Sequence, residues 1–294
     1  EAKLGEVLTA LRAQTYQRFE VLVVDSGSTD RTVEIAGAFS ARVHSIPRES
    51  FTYGYALNYG CQRAEGEYLI ALSGHTIPWF PGWLARLLDH LAAPDIAAST
   101  GGGFSAGDDY ATRRLRTVRI DARNYLVEPT RGLNNAAAAF RAELWRRHPF
   151  DEKLPYCEDL EWGWYWMKRG YALIWDEACS VIHEHREPLR QQYSRSLRLG
   201  AGLAAVLPGS PPGQARGLSE WLVDPLKASL LALLRGYAPT RAAKLWGKYR
   251  GLNHPSPAAY PLETEAAVPA AERFDYGDRT PWHRLLPQTG ATPR

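Results

Sequence analysis

At 294 residues, with 45% hydrophobic and 23% charged side chains, the chain is long enough to bury a substantial core in one or two domains. A formal charge of +3 is too small to indicate a nucleic-acid surface, and no apolar run approaches the roughly 18 residues that cross a bilayer. Cys61, Cys157 and Cys179 form no CxxC pair, which argues against zinc or redox chemistry; together with the absence of a signal-peptide pattern they predict a reduced, cytoplasmic compartment.

In chain order, Leu4, Val7, Leu8 and Leu11 repeat at helical spacing, and Phe19 to Val24 form an apolar run of strand length. Such a run predicts a parallel strand buried on both faces. A helix over 32–39 and a strand over 43–46 follow, then a third cycle ending in the strand Tyr68–Leu72. Pro81 is expected to open a helix whose Leu84, Leu87, Leu88 and Leu91 share one stripe. This alternation predicts an α/β class, a mostly parallel sheet flanked by helices.

Polar motifs fall where these elements end. Asp25-Ser26-Gly27-Ser28-Thr29-Asp30 sits between a strand and a helix, a place where α/β sheets collect ligands and where Asp30 can cap the helix. Asn58 stands in Tyr53-Gly54-Tyr55-Ala56-Leu57-Asn58, and Ser73-Gly74-His75 ends the third strand. Asn135 lies in a small-residue turn before an alanine run. Glu158 and Asp159 precede a Trp-rich helical stretch, near a helix N-terminus whose dipole favours ionised carboxylates. Of Trp162, Trp164, Trp166 and Trp175, most are expected in the core, with Trp162, one turn beyond Asp159, singled out as the exception with a face open to a ligand. His183 and His185 share one face if their segment is extended.

The order and spacing of VVDSGSTDRT at 23–32, AEGEYLIAL at 64–72, CEDLEWGWYW at 157–166 and SVIHEH at 180–185 resemble the family 2 glycosyltransferases over residues 1–187. The resemblance implies a GT-A-like, Rossmann-like domain and an inverting transfer of sugar from a nucleotide-diphosphate donor to a hydroxyl acceptor, whether glycan, lipid-linked or small molecule. It implies Asp159, with Glu158, as the general base, and donor contacts from Asp25, Ser26, Asn58, Ser73, Gly74 and Asn135. Two departures stand out. Leu57 replaces the family's usual Arg, and Ser73-Gly74-His75 replaces its Asp-x-Asp metal motif. Ser73 can still bond a ribose hydroxyl, and His75 can coordinate a cation tolerant of nitrogen, Mn²⁺ before Mg²⁺, with His183 as second ligand. The competing reading has His75 contacting the diphosphate directly in a metal-independent mechanism. The family's usual first strand, ending in Pro-x-Tyr-Asn-Glu, is expected to be missing ahead of Glu1-Ala2, leaving an open inner sheet edge.

Residues 188–294 are expected to form a helical extension with a Pro-rich tail from His254. Its second helix carries Ala242, Leu245, Trp246 and Tyr249 on one face and Arg241, Lys244 and Lys248 on another. Peripheral docking on the inner face of a membrane and packing against the catalytic domain or a second subunit both fit that pattern. A noncatalytic sugar-nucleotide or glycan-binding protein is the rival function, opposed by the Glu158-Asp159 pair. A nucleotidyltransferase lacks its phosphate loop here.

Overall fold

The computed structural model describes residues 2–106, 115–125, 132–154, 156–184 and 188–206. The helices expected between 224 and 250, the tail from His254, and His185 lie outside the described residues.

Helix α1 (Ala2–Arg12) turns Leu4, Val7 and Leu8 inward at i, i+3, i+4 spacing. Leu4 and Leu8 pack with Ala36 of α2 (Thr32–Ala38), while Val7 reaches the main core. Strands β1 (Leu22–Asp25) and β2 (Arg42–Ser45) pair in parallel. β1 starts at Leu22 and is half-buried until Asp25, where the sequence predicted a strand from Phe19 buried on both faces. The reason is that β1 and β2 form a two-stranded ladder, bonded to no strand of the larger sheet among the described residues.

The larger sheet contains β3 (Tyr68–Leu72), β5 (Ile96–Thr100), β7 (Thr117–Ile120), β8 (Ala137–Arg141) and β9 (Ala172–Asp176), in the order β3-β8-β5-β9-β7. Only β5–β9 is parallel in it; β3–β8, β5–β8 and β7–β9 are antiparallel. The α/β class stands, but this sheet is mixed rather than mostly parallel. The cause is β8, which runs between β3 and β5 and antiparallel to both. Its side chains alternate in the usual period of two. Ala137 and Ala139 face the core that includes Leu84 and Leu87 of α4 (Trp83–His90), while Ala138 and Phe140 face Trp162 and Trp166 of α6 (Glu158–Met167). Helix α4 begins two residues after Pro81, with Gly82 as its N-cap.

A second, small sheet builds the end of the molecule that carries the polar motifs. Strand β10 (Val181–Ile182) lies between β4 (Ile77–Pro78), antiparallel, and β6 (Gly103–Phe104), parallel. The segment entering β10 is clamped by α4 and the turn before it. Trp79 and Trp83 donate their indole N–H groups to the carbonyls of Ala178 and Cys179 at 2.9 and 2.8 Å. Buried Asp176 accepts from Arg86 at 2.5 Å and from the Ala178 N–H at 2.9 Å, and lies 2.8 Å from His90 Nε2. Burial opposes its ionisation, yet the bonds from His90 and Arg86 outweigh burial and hold its carboxyl well below the usual range.

Helix α7 (Leu189–Val206), beyond residue 187, lies against the start of α6. A Cβ on Gly202 would stand 2.6 Å from the Tyr156 carbonyl and 2.8 Å from Cys157 Sγ, so only glycine lets the helix approach that turn. Cys157 itself adopts φ +70°, in the left-handed region that costs a non-glycine residue about 1 kcal/mol or more.

Helix α3 (Tyr53–Cys61) is fixed by the side-chain amide of Asn58. Its Nδ2 donates to Phe150 O at 2.9 Å and to Glu152 at 2.8 Å; its Oδ1 accepts from Trp145 Nε1 at 3.0 Å and Phe150 N at 3.1 Å. Asn58→Leu strands these partners and should lower stability by about 2–4 kcal/mol in urea denaturation. The affinity of the remaining folded protein for nucleotide should be unchanged, which titration at low temperature checks.

Candidate active site

The site is organised around the turn that leads into β8. Asn134 closes it, its Oδ1 accepting from Ala136 N and its Nδ2 donating to Gly101 O at 3.2 Å. The main chain of the next two residues faces two ways. Asn135 N–H donates to Asp159 Oδ2 at 3.2 Å, while Ala136 O accepts from Ser73 N at 3.2 Å and from Thr76 Oγ1 at 2.9 Å. Thr76 Oγ1 also bonds Ser73 O, which fixes the Ser73-Gly74-His75 loop after β3. One turn therefore connects the start of α6 with the end of β3.

Glu158 and Asp159 occupy the first turn of α6. Glu158 is buried and accepts from Asn135 Nδ2 at 3.2 Å; Asp159 is half-buried and also accepts from the Leu160 N–H at 2.8 Å. Both carboxyls are pushed above the usual carboxylate range. Burial is the main cause for each; the charge of Asp159 raises Glu158 further, whereas backbone N–H groups partly offset the effect at Asp159. Two crowded carboxyls do not ionise independently, so the pair retains a proton over a wider pH range than two separate acids. A buried Asn135 Oδ1 beside them has no bonding partner among the described residues.

His75 and His183, 108 residues apart in sequence, meet with Nε2 atoms 3.0 Å apart and ring planes inclined at 55°. The register of β10 on β4, Ile182 opposite Ile77, brings them together. A run of three glycines opens the space that His183 fills. A Cβ at Gly101 would collide with the Cys179–Ser180 peptide at 2.3 Å, and one at Gly103 would stand 2.9 Å from His183 Cβ. Two nitrogens bound to one cation at about 2.1 Å and roughly 90° lie about 3.0 Å apart, so the pair fits adjacent positions in a metal's coordination sphere.

Across the small ladder, the Asp25 carboxylate accepts from Gly27 N at 3.0 Å and Ser28 N at 3.2 Å, with Gly27 at φ +90°. Asp25 is buried, and the half-buried Ser26 and exposed Gly27 stand at the C-terminal end of β1. Asp30 accepts from the Thr32 N–H, and bonding to Thr32 pulls its carboxyl down to about 2; it stands one residue before Arg31, the N-cap of α2, and not at the cap position where the sequence predicted it.

The structure thus joins Asn135, Glu158, Asp159, Ser73, Gly74, His75 and His183 in one connected region. It separates two others from ligand contact. Trp162 has no exposed surface and donates its indole N–H to His148 O at 2.8 Å, so it offers no face to a sugar. Its position one turn past Asp159 points it into the core between Phe140 and Trp166. Asn58 is likewise buried, with both ends of its amide bonded to protein. Missed from sequence was the Gly101-Gly102-Gly103 run; three glycines straight after a buried strand were the available signal for a close backbone approach.

The signature of Glycosyl transferase family 2 matches residues 1–152. The O-antigen chain rhamnosyltransferase WbaN of Salmonella anatum is 24% identical over 212 residues, 68% of this chain and 67% of that protein. An uncharacterized glycosyltransferase of Rickettsia typhi is 37% identical over 101 residues, 33% of this chain. The chain spans about two thirds of the Salmonella protein's length and 31% of the Rickettsia protein's. Among solved structures, the mannosyltransferase PcManGT from Pyrobaculum calidifontis, in complex with GDP-Man and Mn²⁺, superposes with a TM-score of 0.61 at 19% identity, covering 85% of this chain and 83% of that one. Glucosyl-3-phosphoglycerate synthase from Mycobacterium tuberculosis, in complex with Mn²⁺, UDP and glucosyl-3-phosphoglycerate, gives 0.53 at 21% identity, covering 74% of this chain and 81% of that one. The fold is the GT-A fold that these structures share, and the chain belongs to glycosyl transferase family 2.

Proposed function

We propose that the protein is an inverting glycosyltransferase that moves a sugar from a nucleotide-diphosphate donor to a hydroxyl acceptor. The observation that carries this is the carboxyl pair at the start of α6, tied through Asn135–Ala136 to the loop bearing His75. The Asp25–Ser26 turn holds the nucleoside end of the donor, Ser73 bonds the ribose, and Asn135 lies beside the donor sugar. Asp159 takes the proton from the acceptor hydroxyl. The acceptor oxygen then forms a bond to the anomeric carbon as the bond from that carbon to the diphosphate oxygen breaks, and the electron pair leaves with the nucleotide. Attack opposite the departing group inverts the configuration.

His75 and His183 hold a divalent cation, Mn²⁺ in preference to Mg²⁺ because both protein ligands are imidazoles. Such a cation, when bound, offsets the negative charge that builds on the departing diphosphate. Support for this reading comes from the ring geometry and from the Mn²⁺ bound in PcManGT and in the mycobacterial synthase. The relatedness to an O-antigen rhamnosyltransferase favours a bacterial surface polysaccharide as the acceptor class. Action takes place at the cytoplasmic side, and no helix among the described residues is long and apolar enough to cross a membrane.

Asp159→Asn keeps size and hydrogen bonding but cannot accept the proton, so transfer should fall by about 10²–10⁴ while donor binding persists. Turnover within a few fold of the unmodified protein would remove Asp159 from this role. Transfer should also weaken on acidification. The base works ionised, and its raised pKa moves the loss to higher pH than an ordinary aspartate would show, visible in the acid limb of kcat/KM.

Chelation with EDTA should abolish transfer, with Mn²⁺ restoring more activity than Mg²⁺. His75→Asp should shift that preference toward Mg²⁺ by supplying oxygen. Gly103→Ala, which crowds His183, should weaken Mn²⁺ binding by about tenfold in a calorimetric titration. Full activity in excess chelator would leave His75 as a direct donor to the diphosphate.

A further inference from the structure

A nucleotide diphosphate needs positive charge along both phosphates, and position 57, where the family resemblance implies an arginine, holds Leu57 packed partly into the core. Lys3 stands in the first turn of α1. Its Nζ donates to the Glu184 carbonyl at 3.0 Å, and Glu184 directly follows His183. The next residue, Leu4, has its Cδ1 3.9 Å from where a Cβ on Gly74 would be, beside His75. The first turn of α1 therefore lies against both loops that carry the histidine pair. The carboxylate of Glu184 is turned to the other side, accepting from Ala106 N at 2.8 Å, so the ammonium meets its main-chain oxygen.

We propose that Lys3 supplies the diphosphate cation that Leu57 cannot, contacting the donor's phosphates beside the His75–His183 pair. This inference rests on the donor being a nucleotide diphosphate, as proposed above. Lysine suits the task as a compact point charge with three rotatable donors. The contact is sequence-independent toward the base and sugar. It acts on phosphate alone.

The test compares Lys3→Gln and Lys3→Arg with the unmodified protein in calorimetric titrations with Mn²⁺ present. The ligands are UDP, GDP, ADP and dTDP, then the monophosphate and free nucleoside of whichever binds. Lys3→Gln should weaken the diphosphate by about tenfold and the nucleoside not at all, and should flatten the salt dependence of diphosphate binding. Lys3→Arg, keeping the charge, should retain most of the affinity. Equal losses for diphosphate and nucleoside would show that Lys3 only shapes the fold, and unchanged diphosphate binding by Lys3→Gln would remove the contact; either overturns the proposal. Should the unmodified protein bind none of the diphosphates, the donor assignment itself fails, and the Lys3 contact with it. Mn²⁺ titration of Lys3→Gln without nucleotide, expected to match the unmodified protein, separates loss of a phosphate contact from displacement of His183.

Discussion

The turn from Asn134 to Ala136 is the constraint on which the site depends. The N–H of Asn135 holds Asp159 and the carbonyl of Ala136, two peptide planes further on, holds the loop that presents His75, so the carboxyl pair and the histidine pair are set by one short stretch of main chain. Such a stretch places both ends without side-chain rotamers, which is a stiff way to fix groups relative to one another. Strand β8 follows directly, its buried Ala137, Ala138, Ala139 and Phe140 fixing the turn to the middle of the sheet.

Around that turn the molecule reads as a set of close approaches. Gly101 and Gly103 let the chain entering β10 come within contact, and Gly202 lets α7 lie on the turn at Tyr156 and Cys157. Trp79 from the turn before α4, and Trp83, Arg86 and His90 from α4 itself, grip the same entering segment through Ala178, Cys179 and Asp176. Glycine supplies the room and tryptophan the fastening. His183 is in this sense the last residue of a braced strut rather than a side chain on a loose loop.

Much of this was legible in the sequence, for identifiable reasons. Helix α1 followed from the spacing of Leu4, Val7 and Leu8, and β3 from its apolar run ending in a polar turn. The bond of Asp30 to the first residue of α2 followed from local chemistry, two residues apart, although the cap position itself falls on Arg31. What failed depended on partners distant in sequence. Asn58 bonds residues about ninety positions away, and Trp162 is turned inward by Phe140 and His148, neither visible in a local motif. The sheet was taken as mostly parallel because an alanine run such as 137–139 has little strand propensity of its own and gave no sign of an antiparallel strand within the sheet. The histidine pair rested on resemblance at the sequence level, since no periodicity relates positions 108 apart.

One bond in the hub has a practical corollary. The backbone N–H of Asn135 ends on the Asp159 carboxylate, so the electron density around that amide proton changes when the carboxylate gains or loses its own proton. The amide is chemically inert over the same pH range. Its resonance in a heteronuclear NMR spectrum is therefore a built-in gauge of the charge on Asp159, observed from a neighbouring atom and without altering either carboxyl of the pair.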